Sequence, residues 1–136
     1  MTASAIRQSL EARFSTKWAA ATPIAWENVD YQSTPGTSYV AFRIVPNSSD
    51  FASFGKHPLI RSLGLVTVDI YTSVNGGTEP GNLLADNVIA AFRDTSGRAW
   101  QDGGLRCRAG SLVSSLKEEE WYRHVVVVEY EYDESF

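Results

Sequence analysis

The chain has 136 residues, of which 43% are hydrophobic and 21% charged, and its formal net charge at pH 7 is −4. This apolar content is too high for a disordered chain, and the length suits a single domain spanning residues 1–136. Cys107 is the only cysteine, which excludes an internal disulfide and a thiolate metal cluster and suits a protein made in a reducing cytoplasm.

The negative charge is concentrated at the C-terminal end. Residues 117–136 carry seven acidic and two basic side chains, so the preceding part of the chain is close to neutral. This distribution offers no broad basic surface for binding phosphate backbones, and tight nucleic-acid binding is not expected. The longest apolar run, 125–128, is far too short to span a bilayer, and the chain start lacks a signal-peptide pattern. No membrane association is therefore expected.

A helix is predicted over residues 2–21. Large apolar side chains recur there at every fourth position and stay within one stripe of a helical surface: Ile6, Leu10, Phe14 and Trp18. Pro23 disfavours helical geometry at the preceding residue and ends the helix. The stripe predicts that one side of this helix packs on a core.

Residues 39–45 alternate in polarity and predict a half-buried strand. Residues 46–58 are too polar for a core strand and predict a long loop, which carries two isolated aromatic residues, Phe51 and Phe54. Two interpretations of these aromatics stay open: they pin the loop onto its own domain, or they fill a pocket on a neighbouring subunit.

The rest of the chain continues as strand, helix, strand and strand. The predicted strands cover residues 60–73, 105–117 and 121–132, and a second helix starts near Pro80 and runs to about Arg93. The order α-β-β-α-β-β predicts an α+β fold in which a largely antiparallel sheet of about four strands has two helices packed on one face.

The opposite face of this predicted sheet is not fully polar. Alternation along the strands places five apolar side chains there: Leu65, Tyr71, Trp121, Val125 and Val127. An apolar area of this kind on a small protein indicates a partner surface, so the pattern favours self-assembly.

The sequence carries no recognisable catalytic motif. It has neither a nucleophile elbow nor a phosphate-binding loop nor a dinucleotide fingerprint. His57 and His124, the two histidines, have no spacing to each other or to Cys107 that suggests a metal site or a catalytic pair. Cys107 is interpreted as an inert apolar side chain, with a reactive thiol between Arg106 and Arg108 as the alternative. We therefore expect no enzyme activity, no cofactor and no metal.

One segment, 23–28, has the sequence Pro-Ile-Ala-Trp-Glu-Asn and lies directly after the first helix. Together with several positions further along the chain, it resembles the small tail terminator, or tail completion, proteins of long-tailed bacteriophages. The resemblance covers almost the whole chain and depends on the order of short motifs. The later matching positions are Arg61, Gly64, Val66, Val68, Ile70, Gly76, Gly77, Ala85, Asp86, Phe92, Trp121, Tyr122 and Arg123.

The resemblance implies a structural virion protein at the head-proximal end of the tail. Such a protein forms a ring, commonly a hexamer, which caps the finished tail tube, stops polymerisation of the tube protein and provides a docking surface for head-tail connector proteins. DNA is then expected to pass through the ring without specific binding, and an acidic C-terminal end lining the channel would repel it.

A head-to-tail ring needs two different, complementary patches on each subunit. The candidates are the loop with Phe51 and Phe54, and the sheet face with Tyr71, Trp121 and Val125. Two alternative functions stay open at this point. One is a head-to-tail connector or stopper protein of the phage neck, and the other is a small ligand-binding domain or enzyme with a similar order of elements.

Overall fold

The computed structural model describes residues 3–18, 21–74, 76–118 and 120–135. Within them the chain forms two helices, α1 (Ala3–Trp18) and α2 (Glu79–Ala91). The strands are β1 (Ile24–Ala25), β2 (Tyr39–Phe51), β3 (Leu59–Ser73), β4 (Gln101–Asp102), β5 (Leu105–Cys107), β6 (Ser111–Glu118) and β7 (Trp121–Ser135). Both predicted helices are confirmed, although Thr2, Ala19 and Ala20 of the first prediction lie outside the described residues.

The strands form one sheet in the order β1-β2-β3-β7-β5-β4, and β6 also pairs with β7. The short pair β1 and β2 is parallel, and every other pair is antiparallel. The prediction of an α+β fold with a largely antiparallel sheet is therefore confirmed. The prediction of about four strands is wrong, since the described residues form seven, three of them only two or three residues long.

The predicted loop at 46–58 is wrong for its first six residues, which are strand, while residues 52–58 form the connection. β2 continues through Phe51 and pairs with β3 as far as Ile60, with a register shift between Pro46 and Ser48. This outer part of the β2–β3 hairpin is called the arm here, and its tip comprises residues 51–58. The arm's β2 side chains are exposed. Because neither face of this segment is buried, its sequence lacks the alternation of apolar and polar residues that identifies a half-buried strand.

The predicted strand at 105–117 is two strands, and both pair with β7. β5 pairs with the C-terminal part of β7 and β6 with its N-terminal part. The break falls at Gly110, where a Cβ atom would lie 2.9 Å from Val128 and 3.1 Å from Ile89. The close approach of α2 to the sheet at this point accounts for the interruption.

The core lies between the two helices and one face of the sheet. All four stripe residues of α1 are buried, as predicted, and Phe14 stacks on Phe42 of β2 with ring centroids 5.0 Å apart. On β7 the face predicted to be packed is buried from His124 to Tyr132. Because both helices cover this side, the opposite side of the sheet carries no helix formed by the described residues, and it is called the far face.

His124 is a polar residue within this core. Its side chain is fully buried, and neither ring nitrogen has a hydrogen-bond partner among the described residues. The ring lies against Tyr122, with centroids 5.0 Å apart, and under Gly81 of α2. A Cβ atom at Gly81 would lie 2.1 Å from the imidazole, so the helix can pack here only because this residue has no side chain.

Candidate subunit interface

The arm tip presents two aromatic side chains at the surface. Phe51 is 59% exposed and Phe54 is 87% exposed. Their ring centroids lie 6.2 Å apart, so the rings contact each other and neither belongs to the buried core. The fold therefore does not use these residues to pin the tip onto its own domain, and a role at a neighbouring subunit stays a prediction.

Four aromatic rings cluster on the far face. The Tyr39 ring stacks on that of Tyr71, with centroids 4.7 Å apart, and meets the Trp121 ring edge-on at 5.3 Å. Tyr31, from the connection before β2, contacts Tyr39 at 4.9 Å. All four side chains are half-buried. The structure thus brings together Tyr71 and Trp121, two of the predicted interface residues, and adds two tyrosines to form what we call the aromatic cluster.

A carboxylate and a guanidinium border the aromatic cluster. Asp69 lies two residues before Tyr71 on the same face, and its Oδ2 accepts a hydrogen bond of 3.1 Å from Arg123. Asp69 is only 9% exposed, and its Oδ1 has no hydrogen-bond partner among the described residues. Val125, the third predicted far-face residue, pairs with Asp69 in the ladder and is half-buried. An ionised pair therefore lies at the edge of an otherwise apolar patch.

The arm tip and the aromatic cluster lie at opposite ends of the same strands. Tyr39 and Phe51 are the first and last residues of the 13-residue strand β2, which spans roughly 40 Å at about 3.3 Å per residue. Each subunit thus carries one protruding aromatic patch and one flatter patch, separated along its long axis. This arrangement suits head-to-tail contacts, in which unlike surfaces of successive copies meet.

The acidic C-terminal strand is paired with basic side chains. Three carboxylates of β7 each have an arginine Nη or Nε atom within 4.0 Å, and the six residues form a ladder of charges: Arg61, Arg106, Arg108, Glu129, Glu131 and Asp133. Arg61 donates to both carboxylate oxygens of Asp133, at 2.8 and 3.1 Å. The hydrogen bond from Arg61 lowers the pKa of Asp133 below its ordinary value. Local pairing therefore offsets the charge of three of the seven acidic side chains at this end.

The 23–28 motif has a structural role. Trp26 is half-buried and packs edge-on against Phe42, with ring centroids 5.3 Å apart. Glu27 accepts hydrogen bonds from the backbone N–H of Ile44, at 2.6 Å, and from Arg7 Nη1, at 2.8 Å. Asn28 has a positive φ of 56°, a conformation that asparagine tolerates better than most residues. Trp26 therefore packs against the core where the chain leaves the first helix.

The described residues hold no group of three or more His, Cys, Asp or Glu side chains that could bind a metal. Cys107 is fully buried, and burial raises the pKa of its thiol to about 12, so it behaves as the inert apolar residue that was predicted. An open groove of about 600 Å³ lies between the first turn of α1 and the arm, with mainly aliphatic and serine side chains around it. These features give no support to catalysis.

Residues 5–130 match the family model described as phage tail terminator protein. The chain therefore belongs to the phage tail terminator family. A solved structure with 21% sequence identity superposes with a TM-score of 0.70, and the alignment covers 97% of this chain and 96% of that chain; at this identity the likeness shows the fold alone. Among curated proteins, none matches the chain.

Family membership gives the protein a role in bacteriophage tail assembly and a place in the virion tail. The family is a structural one and is not known for enzymatic activity. In the part of the chain that the structure describes, neither helix is long and apolar enough to cross a membrane.

Proposed function

We propose that the protein assembles head to tail into a hexameric ring that caps the tail tube. The ring stops further addition of tube protein and offers its other side to the head-tail connector proteins. Membership of the terminator family supports the role at the tail, and it favours this function over that of a connector or stopper on the head side. The separation of two unlike patches along the strands supports closure by heterologous contacts.

The observation that carries the ring proposal is the exposure of Phe51 and Phe54 at the arm tip, together with the half-buried aromatic cluster at the other end of the strands. At the arm tip, Phe54 has most of its surface in water, and on the far face the aromatic cluster and Val125 lack a covering helix. Full burial of a phenylalanine side chain stabilises a contact by roughly 1.5 to 3 kcal/mol. Two such residues at each interface together contribute roughly 3 to 6 kcal/mol, which offsets part of the entropic cost of association.

The paired charges of the C-terminal strand modify the expected behaviour toward DNA. With Glu129, Glu131 and Asp133 paired to arginines, a channel lined by this strand presents less negative charge than its carboxylates alone would give. Such a lining neither holds nor strongly repels a phosphate backbone. Passage of DNA without specific binding is therefore proposed on the basis of this charge pairing.

The combined substitution of Phe51→Ser and Phe54→Ser tests the ring. We expect the variant to fold normally, because both residues are exposed, and to lose assembly both in solution and on isolated tail tips. Light scattering after size-exclusion chromatography gives the mass in solution, and electron microscopy of tails shows the cap. Leu83→Ser is the matched control, since Leu83 is 56% exposed but lies on α2. Unchanged mass and normal caps in the double variant would rule out the arm as an interface.

A further inference from the structure

We propose, as an extension that rests on the ring proposed above, that successive copies join through the edges of their sheets. The outer edge of β6 in one copy pairs with the arm's β2 strand in the next, with Ser115 opposite Ser49 and Leu112 opposite Phe51. The surface that receives the arm is then an open strand edge of the neighbouring copy.

β6 is an edge strand whose apolar side chains are not covered by its own fold. It pairs with β7 on one side, and no other strand formed by the described residues pairs with its outer edge. Residues 111–117 are all exposed, and three of them are large and apolar: Leu112 at 42%, Val113 at 56% and Leu116 at 45%. An exposed apolar edge of this kind can pair with a strand of another chain. The edge adjoins the aromatic cluster, because Glu118 at the end of β6 pairs with Trp121.

The opposite edge of the sheet is blocked along the first half of β2. β1 pairs with the beginning of this strand, the Glu27 carboxylate accepts the N–H of Ile44, and Pro46 has no N–H to donate. Beyond Pro46, no strand of the described residues pairs with the outer edge at 48–51. One short segment of β2, within the arm, is therefore able to accept a strand from another copy.

The two open edges have the directions that pairing between copies requires. β2, β3, β7 and β6 follow one another across the sheet, and each neighbouring pair is antiparallel, so β2 and β6 run in opposite directions. A second copy whose sheet continues the first brings β2 against β6 as an antiparallel pair, the more stable kind of ladder. Because the contact joins two different edges, it can repeat from copy to copy around a ring.

The backbone of β6 determines which of its residues face outward. On β7, the carbonyl of Glu129 accepts the N–H of Arg108, which follows β5. Backbone groups alternate in direction along a strand, so those of His124 point to the other side, toward β3. Ser115 pairs with His124, and its N–H and C=O therefore point away from β7. The same holds for Leu112, whose partner lies two residues further along β7.

The arm has a matching pattern. The N–H of Ala52 bonds to a carbonyl of β3, so the backbone groups of Phe51 and Ser49 point to the outer edge. Ser49 and Phe51 lie on the face of the sheet that carries the core, and so do Ser115 and Leu112. Pairing Ser49 with Ser115 therefore places Phe51 opposite Leu112 on the same face, with Val113 as the bulged residue between the pairs. Two exposed apolar side chains then cover each other, which favours this register.

Engineered cysteines in the full chain test the register. Directly opposed residues of a hydrogen-bonded antiparallel pair have Cα atoms about 5.5 Å apart, which suits a disulfide. We expect oxidation of rings that carry Ser49→Cys and Ser115→Cys to link the copies covalently, as seen by non-reducing electrophoresis of rings or of capped tails. Ser49→Cys with Ser114→Cys is the matched control, since Ser114 lies on the opposite face of the sheet, and it should stay unlinked. The native Cys107 is buried and does not take part.

A backbone variant tests the hydrogen bonds of the pairing. Ser115→Pro removes an N–H that points away from β7, so the ladder between β6 and β7 keeps its bonds. We expect this change to weaken ring assembly at least about fivefold per interface, because one hydrogen bond between copies is lost. Ser115→Thr keeps the donor and should assemble like the wild type. The readout is the concentration dependence of mass in analytical ultracentrifugation, or occupancy of tail tips where assembly requires the tube.

The outcomes separate this inference from the proposed function. If the wild-type chain forms no ring in solution or on tail tips, the proposed function fails. If the wild type forms rings and the oxidised Ser49→Cys and Ser115→Cys variant stays unlinked, the edge pairing is overturned and the ring stands. Assembly of Ser115→Pro equal to that of the wild type would overturn the hydrogen-bonded ladder. Covalent dimers of the single variant Ser115→Cys would show that β6 meets a second β6, which overturns the arm as its partner.

Discussion

At the residue scale, Glu27 shows how one carboxylate joins three parts of the chain. It lies after β1, binds Arg7 of α1 and accepts the backbone N–H of Ile44 in β2. Burial raises the pKa of Glu27, but the hydrogen bonds from Arg7 and Ile44 outweigh it and leave the pKa below its ordinary value. The stabilisation is therefore present above the ordinary carboxyl pKa and is lost as the pH falls below it.

Replacement of Glu27 by glutamine tests this role. We expect Glu27→Gln to lower the free energy of unfolding at pH 7 by about 1 kcal/mol, because a charge-assisted pair becomes a neutral one at a partly exposed site. Urea titration followed by circular dichroism measures the change. Glu11→Gln is the control, since Glu11 lies 3.7 Å from the same arginine, and should change stability by less than about 0.5 kcal/mol. If Glu27→Gln and Glu11→Gln lower the free energy of unfolding equally, Glu27 stabilises the fold only through its negative charge and not through its specific hydrogen bonds.

His124 makes the stability of the core depend on pH. Burial lowers its pKa in the folded state, so the unfolded chain binds a proton that the folded chain resists. The free energy of unfolding is therefore highest above the unfolded-state pKa of about 6.5. It decreases at lower pH, by at most about 1.4 kcal/mol per pH unit. We expect His124→Leu to flatten the dependence between pH 7 and pH 5, as measured by thermal unfolding. An unchanged slope in this variant would assign the dependence to other groups.

At the scale of elements, contact between Gly81 and His124 fixes how α2 lies on the sheet. Alanine in a helix is normally about 1 kcal/mol better than glycine, but a Cβ atom here would overlap the imidazole. We expect Gly81→Ala to lower the free energy of unfolding by about 1 to 3 kcal/mol. The same substitution in a His124→Ala background should cost much less, because the obstructing ring is gone. A stabilising effect of Gly81→Ala in the wild type would contradict this packing.

The elements that the sequence predicts best are those with one side packed in the core. The sequences of α1, β3 and β7 each show a clear hydrophobic period, because the side of each element that packs in the core carries apolar residues. The arm has no such period, since its β2 residues are exposed, and β1 and β4 are too short to show one. At the candidate interface, Tyr71 and Trp121 are predicted by alternation alone. Tyr39 joins the aromatic cluster because its strand register places it opposite Tyr71. Tyr31 joins the cluster through the path of the connection before β2, and a hydrophobic period does not predict such a path.

At the scale of the whole molecule, the long strands separate the two patches on which the proposed ring depends. The helices pack on only part of the sheet. In the arm, β2 and β3 extend beyond that part. Since Phe51 and Phe54 at its tip are exposed, these two side chains add little to the stability of a single copy. In the proposed ring these side chains would be buried where successive copies meet around an axis.

The most direct test of the ring is the length distribution of tails assembled with and without this protein, measured by electron microscopy. Tails made with the wild-type chain should have one defined length. Tails made without it, or with the Phe51→Ser and Phe54→Ser variant, should continue to grow into tubes of irregular and greater length. Tails of normal, uniform length made in the complete absence of the protein would contradict the proposed role.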